Sequence, residues 1–238
     1  MLKEIFNMFN KRTKYSAEID FWQQEIQNYI RWYSAEIKEH YGTMSPEKHE
    51  KIDVGILSYS AILTWMACHQ QKKYLQDLML TEDAFDGMKV LDVGSGPMPS
   101  ASAFRTAEIY CLDPLIPEYL RIGFPLHYSN AKFIYGKSEE IPCENNYFDA
   151  VISINALDHV DDFSQATKEI ARVLKPKGKV RLHLHYHKQT ITEPIELNDE
   201  IVESYFAFCN IRKINESNYK MGNILQNNSE KYVLWSNF

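Results

Sequence analysis

Across residues 16–41, apolar or aromatic side chains recur at Ile19, Trp22, Ile26, Tyr29, Ile30, Tyr33 and Ile37. Gaps of three and four place them on one face of a helix. Gly42 followed by Ser45-Pro46 ends that run and opens another, with Ser45 as N-cap and Pro46 in the first turn. The second helical stretch is predicted over about residues 47–79, with a break near Gly55. These helices are too short for a comfortable independent domain and are expected to pack on the C-terminal part of the chain.

From Met88 the period changes. Short runs that are apolar on both faces cover residues 89–93, 109–112, 132–135, 148–154 and 179–187. Such runs, separated by helical pieces, predict a parallel sheet covered on both sides. The clearest intervening helix spans residues 162–174. Asp162 and Gln165 have capping-box spacing, Ala166, Ile170, Val173 and Leu174 share one face, and Lys175-Pro176-Lys177-Gly178 stops it. A further helix over about 198–208 precedes two strand candidates, 210–214 and 232–235, expected as an antiparallel pair at the sheet edge. The chain therefore divides near Gly87 into a helical extension or cap, residues 1–87, and an α/β domain, residues 88–238.

Composition narrows the function classes. The 238 residues carry 26 Lys and Arg against 32 Asp and Glu, a net charge of −6, which argues against a general nucleic-acid binder. No window reaches the roughly 18 apolar residues of a membrane span; the best, residues 54–68, is interrupted by Ser58, Ser60 and Thr64. The first fourteen residues lack the continuous apolar core and cleavage site of a signal peptide and read as a frayed amphipathic terminus. Cys68, Cys111, Cys143 and Cys209 form no C-x-x-C pair, as expected of reduced thiols in a cytoplasmic protein.

Candidate chemistry sits at the end of the first strand. In open α/β sheets, ligands bind beyond the carboxyl ends of the strands, where strand order reverses. Gly94-Ser95-Gly96 lies there, and glycine lets backbone approach a ligand that a Cβ would repel. Asp113 ends the second strand, where a carboxylate can accept both hydroxyl hydrogens of a ribose. Pro99 takes the third position of G-x-G-x-x-G, which disfavours a pyrophosphate and points to a nucleoside without phosphates.

These residues carry a resemblance. Val90-Leu91-Asp92-Val93-Gly94-Ser95-Gly96-Pro97 resembles motif I of the class I S-adenosylmethionine-dependent methyltransferases, and Asp113-Pro114 resembles their acidic post-motif I position. Gly136-Lys137-Ser138-Glu139-Glu140-Ile141-Pro142 is similar to the loop that holds adenine. Residues 148–153 with Leu157-Asp158-His159-Val160, and then residues 172–179, are similar to the fourth strand and the turn into the fifth. The likeness covers residues 88–186 in order and is nearest the small-molecule, ubiquinone/menaquinone-type branch. It departs at Met98, where motif I has a third glycine, and at Lys137, where many relatives carry an adenine-contacting Asp.

The resemblance implies a doubly wound, mostly parallel seven-stranded sheet and S-adenosyl-L-methionine as cofactor. Implied cofactor contacts are Asp92, Gly94, Ser95, Gly96, Asp113, Pro114, Ser138, Glu139, Asn155 and Ala156. The activity implied is methyl transfer to O or N of a small molecule, such as a sugar or natural-product intermediate. Expected partners are that acceptor and no nucleic acid, without stable membrane insertion; a homodimer is left open. A non-catalytic nucleoside-binding module is the alternative, and a nicotinamide oxidoreductase a third reading.

For general base, His159 is the first candidate, because it follows the fourth strand at the ligand edge, with Asp158 as orienting partner. His187, nearest the carboxyl end of the fifth strand, is the second. His183, His185 and His187 share a face, but spacing of about 7 Å per pair along a strand opposes their convergence on one ion, so no metal is expected. Asp161 and Asp162 are read as structural. Trp32 and Tyr33 are placed near the pocket mouth.

Overall fold

Val90 alternates with Leu91, and Ala150 and Ile152 with Val151, so each strand sends side chains to opposite faces that must both be covered. In the computed structural model of the protein, residues 2–41, 54–126, 129–217, 219–220, 223–224 and 230–238 are described. The predicted cap at Ser45 and Pro46 lies outside them. The described helices before Gly87 are α1 (Leu2–Tyr41), α2 (Val54–Trp65) and α3 (Gln71–Leu78), with a π-helical turn, Met66–Gln70, between the last two. α1 begins at Leu2, ahead of the amphipathic run that predicted it.

After Gly87 come β1 (Lys89–Val93), β2 (Glu108–Asp113), α4 (Ile116–Arg121), β3 (Lys132–Tyr135) and β4 (Phe148–Ile154). They are followed by α5 (Phe163–Val173), β5 (Leu174–Tyr186), α6 (Asp199–Tyr205), β6 (Arg212–Ser217) and β9 (Lys231–Ser236), with β7 (Tyr219–Lys220) and β8 (Asn223–Ile224) forming a small separate hairpin. The seven-stranded sheet has the order β3-β2-β1-β4-β5-β9-β6. β9 alone runs against its neighbours β5 and β6, which is the antiparallel edge the sequence predicts. Order reverses between β1 and β4, which pair in parallel.

One face of the sheet packs Leu91, Val151, Leu182 and Trp235 against Phe163, Ile170 and Val173 of α5 and Val202 of α6. The other packs Val90, Ile109 and Ile152 against Tyr74 and Leu78 of α3, with Phe85 and Phe104. A third cluster joins Ile19 and Ile26 of α1 and Ile62 and Trp65 of α2 to Met98, Leu115, Tyr119 and Phe124. Burial on both faces removes each of these side chains from water, a gain of about 1.5–3 kcal/mol per large residue. Met98, at the position of the family's third glycine, is a core residue of that third cluster, so the turn after β1 runs as a short 3₁₀ segment, Ser100–Ala103.

α5 starts where the sequence places it: Asp162 accepts the amide of Gln165 at 2.9 Å. The reciprocal half of a capping box is not made, because the Asp162 amide donates to Glu139 Oε1 at 3.2 Å. No helix among the described residues is long and apolar enough to cross a membrane.

Candidate active site

A cavity of about 630 Å³ opens at the carboxyl ends of β1, β2 and β4, under the N-terminal half of α1. Its floor is the turn after β1. Gly94 has φ +72°, and a Cβ there would stand 2.3 Å from the Cβ of Ala156. Gly96 has φ +64°, and a Cβ there would rest in ordinary contact with the Trp22 ring at 3.4 Å. Both positions need the left-handed region that glycine reaches without strain. Gly94 and Ser95 donate to the Leu112 carbonyl at 2.9 and 3.3 Å, which ties the turn to β2.

Asp113 closes the cavity beyond β2. Its Oδ2 accepts the Gly96 amide at 3.0 Å and its Oδ1 the Leu115 amide at 2.8 Å. Burial pushes its carboxyl up to about 6, while the two amides pull it down. Each carboxylate oxygen has a second lone pair, so two hydroxyls remain acceptable ligands. Pro114, Ser138, Glu139, Asn155, Ala156 and His159 line the same cavity. Glu139 also organises the loop after β4, accepting the amides of Asp161 at 2.7 Å and Asp162. Asn155 sits at φ +52°, and its Oδ1 is buried without a hydrogen-bond partner in the protein.

Two expected site residues stand off the cavity. Asp92 is wholly buried behind Tyr74, a lining residue whose hydroxyl lies 2.9 Å from each of its oxygens. Position 92 shares the parity of Val90, so its side chain falls on the face that α3 covers. Its carboxyl is pushed up to about 7 by burial, with the Tyr74 hydroxyl opposing. His187 is buried behind the cavity wall: its Nδ1 lies 2.6 Å from the Lys188 carbonyl and its Nε2 3.2 Å from Asp158 Oδ2. The hydrogen bond with Asp158 is the main cause that raises it to about 9. His159, by contrast, faces the cavity, with Nε2 3.8 Å from Glu193 Oε1 and 3.9 Å from Asp158 Oδ2.

The reading of Asp161 and Asp162 as structural agrees with their contacts: Asp161 pairs with Lys137 at 2.8 Å and Lys14 at 3.6 Å. Lys137 therefore serves the loop, in place of the adenine contact some relatives have. Trp32 and Tyr33 do not reach the mouth. Trp32 is 48% exposed and packs on Tyr29 and His69, while an earlier part of α1 (Lys14, Tyr15, Glu18 and Trp22) covers the cavity. The rise of a helix decides this: ten residues separate Trp22 from Trp32, about 15 Å along the axis. The Lys14 ammonium donates to the His159 carbonyl, fastening α1 to the loop after β4. Lys14, Glu18, Thr192 and Glu193 carry no sequence signal that marks them as site residues. Only Trp22, on the apolar face of α1, offers one.

The cradle suits an adenosyl cofactor. Bare backbone at Gly94 and Gly96, a carboxylate at Asp113 with open lone pairs, and the unpartnered Asn155 Oδ1 are donors and acceptors that a nucleoside with an amino-acid tail can satisfy. Residues 91–182 match the family described as "Methyltransferase domain". The chain is 30% identical over 131 residues to a demethylmenaquinone methyltransferase of Bacillus mycoides, covering 51% of this chain and 55% of that protein. It is 29% identical over 156 residues to a ubiquinone/menaquinone biosynthesis C-methyltransferase of Idiomarina loihiensis, covering 61% and 57%. It thus spans little more than half the length of these curated relatives. Among solved structures, the YcgJ protein of Bacillus subtilis superposes with a TM-score of 0.53 at 18% identity, over 71% of this chain and 97% of that one, which is a likeness of fold.

Proposed function

We propose, from a chain that carries a class I S-adenosylmethionine-dependent methyltransferase domain, that it binds S-adenosyl-L-methionine and moves the methyl group to an oxygen or nitrogen of a small molecule. The observation that carries this reading is the single cavity shared by the Gly94–Gly96 backbone, the Asp113 carboxylate and His159. Bound there, the sulfonium supplies an already activated methyl group, so the protein's work is positioning. Asp113 would grip the ribose hydroxyls, Ser138 and Glu139 the adenine side, and Asn155 with the Gly94 carbonyl the amino-acid end.

The acceptor would lie between α1 and the loop after β4. Lys14, Glu18, His159, Thr192 and Glu193 make that end polar, which suits an acceptor rich in hydroxyls or amines. His159, which lines the cavity, would take a hydrogen bond at Nε2, and then the proton, from the attacking group. Because methyl transfer to the acceptor lone pair would leave the donor a neutral thioether, the acceptor's proton is the one charge that His159 would have to remove. Holding the two reactants in line contributes several kcal/mol, and the base about 10²–10⁴-fold. Residues 1–87 act as a cap in this reading, supported by the α1 side chains over Gly96.

The test has two arms. Calorimetry with S-adenosylhomocysteine should give one binding event per chain, and its absence on folded protein would remove the proposal. An acceptor panel read by mass and by the position of the added methyl should give O- or N-methyl products, lowered about 10²-fold or more in His159→Ala. Carbon methylation, the activity in the name of the Idiomarina relative, would correct the acceptor atom; binding without turnover would favour the non-catalytic module.

A further inference from the structure

We propose that Asp158, His185, His187 and Glu193 form a binding site for one divalent first-row transition ion of the zinc type, against the acceptor end of the cavity. Each offers a ligand atom, and these atoms all lie within 4.8 Å of one another. Spacing along β5 holds His183 away, stacked on Tyr232, but β5 ends at Tyr186. Beyond the strand end, the His187 ring comes to 4.5 Å from that of His185, centroid to centroid. Glu193 is delivered by a turn in which its amide donates to Thr190 Oγ1 at 2.9 Å, and the Asp158 carbonyl anchors the same segment through the Ile195 amide.

Unmet polar atoms point to a ligand. Asp158 has no exposed side-chain surface, yet its Oδ1 has no hydrogen-bond partner; His185 turns Nδ1 toward Glu193 and Nε2 toward Glu230 Oε2, 3.7 Å away. A buried carboxylate oxygen left unmatched is costly. The Lys188 carbonyl can only accept, so the Nδ1 of His187 carries a proton. Its Nε2 then faces Asp158 Oδ2 at 3.2 Å, an arrangement that requires something positive between them. One further proton there would serve that pair alone and leave Asp158 Oδ1 unmatched. A divalent ion would instead meet two carboxylates and two imidazoles together, and balance the charge of Asp158 and Glu193, whose ion-pair partners among the described residues are histidines.

The donor set selects the ion class. Two imidazoles and two carboxylates, without thiolate, suit zinc and its first-row neighbours better than magnesium or calcium, which take oxygen ligands. Bond lengths of about 2.0–2.2 Å in a tetrahedron set ligand atoms about 3.3 Å apart. The observed separations of 3.2 Å (His187 Nε2 to Asp158 Oδ2) and 3.9 Å (His185 Nδ1 to Glu193 Oε1) need side-chain shifts of under about 1 Å to reach it. Glu193 also lines the cofactor cavity, so the ion's charge would stand at the wall beside His159.

Chelator-treated protein should be loaded with Zn²⁺, desalted and measured for metal by emission spectrometry, with calorimetry for affinity and Co²⁺ for the visible bands of a four-coordinate site. One ion per chain is expected, with affinity lowered at least about 10-fold in His185→Gln and in Glu193→Gln. His69→Gln, at an exposed histidine outside the cluster, should change neither. Folding of each variant is checked by its thermal melt, and a second pair, Asp158→Asn and His187→Asn, covers a variant that fails to fold. No more zinc in wild type than in the His185→Gln/Glu193→Gln double variant, or equal affinity in all, overturns the site. So does a doubly protonated His187 by nitrogen NMR that persists with excess Zn²⁺. None of these readouts depends on binding of the adenosyl cofactor, so its failure would leave this result standing.

Discussion

Gly94 has no space for a side chain: a Cβ 2.3 Å from Ala156 and φ of +72° make alanine both a clash and a strained conformer. Gly94→Ala should cost at least about 1–3 kcal/mol in stability and abolish binding of S-adenosylhomocysteine, read by thermal melt and calorimetry. Asp113→Ala is a milder change, because only the ribose grip and two amide contacts are lost. It should weaken nucleoside binding by about 1–3 kcal/mol, and unchanged affinity would remove its assigned role. These residues are legible in sequence because their chemistry is local: glycine where backbone must approach, a carboxylate at a strand end. Asp92 belongs to the same motif, but its place on a strand sends it to Tyr74 instead.

Elements decide which side chains cover the site. α1 brings Trp22 over Gly96, 3.4 Å from where a Cβ would be, and packs it tilted against Trp65 and edge-on to Phe124. Tryptophan fluorescence should therefore change as S-adenosylhomocysteine is added. Trp22→Phe should remove most of that change and Trp32→Phe little, since Trp32 packs outside the cavity. At α5, Asp162→Ala removes the cap on the Gln165 amide and should lower unfolding free energy by about 1 kcal/mol in a urea titration. Periodicity shows that α1 has an apolar face and where α5 begins. It does not show which turn of α1 lies over the strand ends, because that depends on how a helix crosses a sheet.

The whole molecule holds two buried carboxyls at the switch point, and their charge makes stability depend on pH. Burial, opposed by the Tyr74 hydroxyl and aided by the nearby Asp113 carboxylate, raises Asp92 from 3.8 to about 7. Folded Asp92 thus keeps its proton over a range in which the unfolded chain has lost it. Where the native state binds more protons, stability falls as pH rises, here from about 4 to about 7. Asp92→Asn carries no charge to bury, so its melting temperature relative to wild type should climb between about pH 4 and pH 7; a constant difference would count against a buried charge at this position.

Sequence alone determined the sheet, its strands and the turn that builds the nucleoside cradle, since burial on both faces writes an apolar run and close backbone approach demands glycine. Tertiary structure alone turned Asp92 and His187 from the cavity, laid Trp22 over it and gathered Asp158, His185, His187 and Glu193. Those outcomes depend on where β5 ends and how α1 crosses the strands, distances through space that spacing along a chain does not encode.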